Sequence, residues 1–235
     1  MKQFNRSDFI EKYNISDQYS DFFGSDLVLK IEKFISGRSF SPNIEDVFKA
    51  LRNPISEIKV VIIGQDPYPQ EGVATGLSFE VGGYNSWEKP LLQRSLQNIV
   101  RVLYSSYYND FLKFSEIREK IRKGLKILPP NKIFKSWNSQ GVMLLNRSLT
   151  VEVGKPDSHT LFWKDITDSL IEYISRKNRD IIYFLWGKNA QELEAKIYGG
   201  KIFKSNHPSR LNSKNSEDFT FFEGFRETKN FIDWI

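Results

Sequence analysis

Residues 58–81 read IKVVIIGQDPYPQEGVATGLSFEV, and the rest of the chain is placed by them. Ile58 to Ile63 is almost unbroken apolar and β-branched, the pattern of a strand buried on both faces of a parallel sheet. The run halts at Gly64, and Gln65, Asp66 and Tyr68 follow with two prolines among them. In open α/β sheets, ligands bind in the crevice beyond the carboxyl ends of the strands, where this cluster would sit. Glycine and proline there fix the backbone and so aim the polar side chains. An isolated Asp-Pro is ordinary turn chemistry. Here two further pieces weigh against that reading. Gly76-Leu77-Ser78-Phe79 resumes an apolar run after a loop whose length fixes the place of Phe79, and Asn206-His207-Pro208-Ser209-Arg210-Leu211 is a second polar loop closing a second apolar strand.

Outward from this stretch, Val142–Leu145, Ile181–Trp186 and Lys201–Lys204 read as three more strands, ended by Asn146, Gly187 and the loop holding His207. Thr160–Ile174 has helical periodicity, with Phe162, Trp163, Ile166, Leu170 and Ile174 on one stripe, and Ala190–Tyr198 reads as a helix. Before the first strand, residues 1–53 read as helices that supply packing. One helix is expected to open at Asn43 and to end at Asn53-Pro54. Pro90 fits the entrance of a helix through Ser95 to about Leu103. The Lys- and Arg-rich section from Tyr104 to Lys135 reads as a partly helical excursion on one side of the sheet, closed by Pro129-Pro130. Strands alternating with helices predict an α/β fold with a central four-stranded parallel sheet covered on both faces, in a single domain spanning 1–235.

Composition narrows the function. The 235 residues include no cysteine, so neither a disulfide framework nor a thiolate nucleophile is available. Only His159 and His207 could supply imidazole, which argues against a histidine-rich metal site. No apolar run is long enough to span a bilayer, and the first residues lack the apolar core of a signal peptide, so a cytoplasmic protein is expected. A net charge of +5 and a pI near 9.2 suit an anionic partner such as nucleic acid, although an ordinary Lys-rich surface explains them as well.

The polar loops bring a resemblance into view. Gly64-Gln65-Asp66-Pro67-Tyr68, Gly76-Leu77-x-Phe79, Leu144-Leu145-Asn146 and His207-Pro208-Ser209-x-Leu211 resemble the uracil-DNA glycosylases of the main family. Trp137-x-x-Gln140-Gly141-Val142, Ser158-His159, Leu185-Trp186-Gly187 and Asp233-Trp234 extend the likeness, in the family's order, over the chain from about Leu51. The resemblance implies a base-flipping enzyme that hydrolyses the bond between uracil and deoxyribose and leaves an abasic site, with no cofactor and no metal.

It also implies roles. Asp66 is the carboxylate that activates water and faces the positive charge developing on the sugar. His207 is the donor to uracil O2 as negative charge moves onto the leaving base. Asn146 reads the base edge, since an amide offers one donor group and one acceptor. Phe79 stacks on the base, Tyr68 occupies the space of a C5 methyl and so rejects thymine, and Gln65 joins the substrate-binding set. Leu211 resembles the family's wedge, which fills the gap left in the base stack. Ser95, Lys188, Ser209, Arg210 and Ser213 are candidates for phosphate contacts. His159 is assigned to structure, or to support near Asn146. Uracil-containing DNA is the expected partner, DNA-mimicking inhibitor proteins are a further class of partner, and a monomer is expected.

The rim departs from the family. Pro69 and Thr75 stand where histidines are usual, Arg210 replaces a proline, Asn212 and Lys188 replace serines, and the proline-rich loop before Ser95 is reduced to Pro90. An altered rim around an intact pocket leaves a second reading, a catalytically weak homologue that mainly binds DNA or an inhibitor. A nucleotide- or flavin-binding α/β protein lacks support, because no Gly-rich loop leads into a helix after any strand.

Overall fold

A computed structural model describes residues 6–212 and 215–235. Four parallel strands form one sheet in the order β2-β1-β3-β4: β1 (Val60–Gly64), β2 (Val142–Asn146), β3 (Ile182–Trp186) and β4 (Ile202–Ser205). β1 and β2 are buried at every residue and β3 at all but Ile182, so their sequences do not alternate, whereas β4 is mostly uncovered. In-register pairing sets Gly64 beside Asn146 and Trp186 beside Ser205, so the polar residues that end each strand emerge along one edge.

The helices follow the strands. α1 (Arg6–Lys12) and α2 (Ser25–Ile35) precede the sheet, and α3 (Arg94–Tyr108), α4 (Phe114–Arg122) and α5 (Pro130–Ser139) lie between β1 and β2. α6 (Thr160–Lys177) and α7 (Lys188–Gln191) flank β3, and α8 (Gly224–Thr228) follows β4. α6 turns Trp163, Ile166, Leu170 and Ile174 into the core, as its periodicity predicts, while Phe162 stacks on Phe34 of α2 with ring centroids 3.6 Å apart. Phe9, Tyr13, Phe23 and Phe48 form an aromatic group that joins the N-terminal helices to the rest of the core through Trp163. The Trp137/Gln140 and Asp233/Trp234 motifs meet each other: Trp137 Nε1 donates to the Trp234 carbonyl at 3.0 Å, and Gln140 bonds the Asp233 backbone twice. They clasp the C-terminal segment to α5.

Several local expectations are corrected. Pro90 does not open α3, which starts at Arg94; the Leu91 carbonyl accepts from Gln97 Nε2 and the Lys89 carbonyl from the Tyr84 hydroxyl, holding 89–93 as a loop. Pro129-Pro130 opens α5 rather than closing the excursion, with Pro130 at the first helical position, where its missing N–H costs nothing. The stretch after Asn43 forms two separate 3₁₀ turns, and the Asn43 side chain makes no cap, although Phe48 and Leu51 are buried as expected. The helix expected over 190–198 is the four-residue α7 followed by a 3₁₀ turn over Glu192–Lys196. There, buried Arg147 takes the Asn189 carbonyl at 2.6 Å, which an α-helix would offer to residue 193.

Candidate functional site

The strand ends surround a cavity of about 220 Å³, lined among others by Asp66, Tyr68, Phe79, Asn146 and His207. It is smaller than the roughly 300 Å³ at which pockets for drug-sized ligands begin, a size suited to a single planar ring. Phe79 forms one wall, tilted against Trp186 with centroids 5.3 Å apart and 6.3 Å from the His207 ring. Its backbone sits in the left-handed region (φ 65°), a conformation costly for a bulky residue and typical of functional sites. The loop that delivers it is pinned from inside. Lys49 Nζ lies 3.4 Å from buried Glu80, the Thr75 hydroxyl bonds the same carboxylate, and the Gly82 N–H closes onto the Val73 carbonyl.

Asn146 is 6% exposed, yet among the described residues its side chain has no protein hydrogen-bond partner. Buried polar groups are paired in nearly every folded protein. An unpaired amide on a cavity wall therefore has donors and an acceptor to spare for a ligand. Gly64 makes the placement possible, because a Cβ there would fall 2.3 Å from Asn146 Oδ1 and 2.7 Å from Ser78 Cβ.

Asp66 Oδ2 accepts the Asp157 backbone N–H at 2.9 Å, which leaves Oδ1 for a water. Burial lifts the Asp66 carboxyl above its ordinary range; the Asp157 N–H opposes this and the Asp157 carboxylate adds to it. Gln65 Nε2 donates to Asp157 Oδ1 at 2.6 Å. Pro156 and Asp157, absent from the sequence-based site, thus form the lid side of the cavity. The signal was there: Gly154-x-Pro156-Asp157 is turn chemistry immediately before Ser158-His159. Ser158 Oγ accepts from the Glu152 N–H and the Gly154 N–H donates to the Pro69 carbonyl, tying this turn to the Asp66 loop.

His207 reaches the cavity from the loop after β4. The Ser209 N–H donates to its Nδ1 at 3.2 Å, and the Ser209 hydroxyl lies 2.9 Å from the same nitrogen. Nδ1 is thereby an acceptor, so the proton of the neutral ring is on Nε2. Burial pushes the His207 pKa below 6.5, which favours that neutral form. Gly187, at φ 86°, allows the approach, since a Cβ there would meet His207 Cβ at 2.9 Å. Burial also raises the Tyr68 pKa and keeps its hydroxyl protonated.

The other expected residues divide. Ser95 lines the base-sized cavity, while Ser209, Arg210 and Leu211 line a wider adjoining groove of about 860 Å³. Leu211 is half-buried and packed against the core. Lys188 is exposed at the start of α7, away from both linings. Ser213 lies outside the described residues. His159 bonds the Thr150 hydroxyl at 2.8 Å, and Trp163 Nε1 bonds that hydroxyl at 2.7 Å, which makes His159 a buried strut between α6 and the strand-end loop. Among the described residues no group of His, Asp and Glu side chains could hold a metal ion, and no helix is long and apolar enough to cross a membrane.

Fold and cavity together define an α/β protein with a cavity the size of one planar ring at the carboxyl ends of its strands, lined by a carboxylate and a histidine whose burial favours its neutral form. The chain belongs to the uracil DNA glycosylase superfamily, whose model matches residues 53–230. It is 34% identical over 226 residues to a uracil-DNA glycosylase of Clostridium perfringens, covering 92% of this chain and 89% of that one. Among solved structures, the wild-type UNG of Nitratifractor salsuginis shares the fold with a TM-score of 0.72 over 97% of this chain and 96% of its own, at 19% identity. A mimivirus UNG variant in complex with UGI matches with a TM-score of 0.63 at 25% identity, covering 88% of this chain and 73% of that one.

Proposed function

We propose that the chain excises uracil from DNA, hydrolysing the N-glycosidic bond and leaving an abasic site with the backbone intact. The observation that carries this reading is the unpaired Asn146 amide in a one-base cavity, with Asp66 and the Nε2–H of His207 lining the same space. The base leaves the stack and enters on its edge, as enzymes acting on a base inside a duplex require. Asn146 accepts from uracil N3–H and donates to O4, Phe79 covers one face of the ring, and Tyr68 fills the room that a C5 methyl would need.

As the bond from C1′ to N1 breaks, its electron pair goes to the base, and negative charge gathers on O2. The neutral His207 donates to that oxygen. The ionised Asp66 faces the positive charge on the sugar and orients the water whose oxygen bonds to C1′. The proton shed by the water passes to Asp66 or to solvent, and the uracil anion is protonated after release. Preorganised electrostatic groups of this kind contribute the largest share of many enzymes' acceleration.

Ser95, Ser209, Arg210, Leu211 and Lys188 are proposed to hold the DNA around the extruded nucleotide. DNA-mimicking inhibitor proteins are proposed partners on the same face; one solved neighbour is a complex with UGI. Incubation with a single-uracil oligonucleotide, followed by alkaline strand cleavage and detection of free uracil, tests the reading. Release of uracil with an intact backbone before alkali is expected. Binding without release would favour the catalytically weak homologue.

A further inference from the structure

The excursion between β1 and β2 is not used by the chemistry above, yet it holds the charge of the protein. Residues 104–135 contain eight Lys and Arg against three Asp and Glu, a surplus of five, equal to the +5 of the entire chain. The remaining 203 residues are neutral on balance. Two of its eight cations, Lys113 and Arg118, join a line of arginines that lie outside the excursion. The groove beside the base cavity, which shares His207 with it, carries Arg94 and Arg210 and runs along α3 to Arg101. A second depression shares Gln97 and Arg101 with that groove and continues it to Lys113, which precedes α4, and Arg118 at the middle of that helix. Arg94, Lys113 and Arg210 are exposed, and among the described residues no carboxylate pairs with their side chains, although Glu116 accepts the Lys113 backbone N–H at 2.7 Å.

We infer that this track is an accessory path for the DNA backbone, holding the strand several nucleotides away from the extruded base. The inference rests on the uracil-excising reading, because the base cavity fixes where the path begins. Ser95 to Arg101 covers roughly 9 Å along the helix axis at 1.5 Å per residue. At about 3.4 Å per nucleotide along a strand, that is two to three nucleotides, and Lys113 and Arg118 extend the path beyond them. Arg101 also positions the active loop. Its Nη1 donates to Asn98 Oδ1, and Asn98 Nδ2 in turn holds the Pro208 carbonyl at 2.7 Å. The partner is a phosphodiester backbone, recognised by charge and spacing and without base contacts.

The test compares the wild type with Lys113→Gln/Arg118→Gln, and with Lys120→Gln/Lys123→Gln as a control that removes the same charge from the C-terminal end of α4, where neither lysine lines either depression. Uracil-containing oligonucleotides are used with long flanks and with flanks trimmed, one side at a time, to two nucleotides. Two lost phosphate contacts at about 0.9 each flatten the log–log salt slope by about 2, so between 50 and 200 mM salt the wild type should lose about tenfold more affinity for long substrates than the first variant does. Trimming one particular flank should erase that difference, and the control pair should leave the slope near that of the wild type. Lys113→Gln alone, at an exposed position, should give a change of about 1 even if Arg118→Gln, which loses a bond to the Glu88 carbonyl, perturbs folding. An unchanged slope in the first variant and in Lys113→Gln, an equal change in the control pair, or no dependence on flank length would each overturn the path. Absence of uracil release by the wild type from every substrate would instead overturn the proposed function.

Discussion

The base cavity and the groove beside it share His207 but are held in place by different means. In the cavity, Asp66 is bonded to the Asp157 backbone, His207 is fixed by Ser209, and Phe79 is locked in a left-handed conformation by a loop pinned on buried Glu80. Along the groove, Arg94 and Arg210 are exposed side chains, and among the described residues neither guanidinium is paired. The first region has paid ordering entropy in advance, so its groups act without reorganising. The second works through charge at a distance, which needs no fixed geometry and is screened by salt. Substitutions in the cavity should therefore alter rate and base choice, and those in the groove should alter affinity and salt response.

The largest expected effect tests the first half of that contrast. Asp66→Asn keeps the shape but loses the charge proposed to face the sugar cation, and groups of this kind are worth roughly 10²–10³ in rate. Single-turnover release should fall by that factor while DNA binding stays close to wild type. Near-normal release would remove Asp66 from the mechanism.

Leu211 is half-buried and lines the groove. If it swings out to fill the vacated stack, it recovers on the order of 1–3 kcal/mol of apolar burial. Leu211→Ala should then slow release from duplex substrate about tenfold, since 1.4 kcal/mol is a factor of ten, and leave single-stranded substrate almost unaffected. Equal losses on both would make this leucine an ordinary packing residue.

A smaller effect concerns pH. The proposed mechanism needs Asp66 ionised and His207 neutral, and both are deprotonated forms. Burial raises the Asp66 pKa and lowers that of His207, so the single-turnover rate should be level through neutrality and fall on the acid side. Asp157→Asn removes a like charge that helps raise the Asp66 pKa, and should move an acid limb governed by Asp66 to lower pH. A limb that stays in place would assign it to His207. The smallest effect belongs to the groove: Arg210→Ala should flatten the salt slope by about 1 without changing the saturated rate, which quantitative binding at several salt concentrations reads directly.

How much of this was legible in the sequence follows the same division. β1, β2 and β3 were readable because strands buried on both faces leave continuous apolar runs, and Asp66, Asn146 and His207 because each ends such a run beside Gly or Pro. Asp157 escaped notice because its contribution is largely a backbone N–H, which leaves no mark in side-chain chemistry, and because it bonds a residue 91 positions away. Pro90 and Pro129-Pro130 misled because proline can precede or open a helix, and the choice is made by bonds from elsewhere, such as Gln97 to the Leu91 carbonyl. The short α7 was unreadable for a similar reason: the group that takes its carbonyl, Arg147, lies on another strand's end.

Groups lining one small cavity are proposed to select uracil and release it, and base choice tests this most directly. Three oligonucleotides identical except for a single target uracil, thymine or cytosine would be incubated with the wild-type protein, and the free bases measured. In the proposed pose cytosine presents a donor and an acceptor where the Asn146 amide would meet an acceptor and a donor, and thymine carries the methyl that Tyr68 would obstruct. Release of uracil alone is predicted. Comparable release of thymine or cytosine, or no release of uracil, would contradict the account.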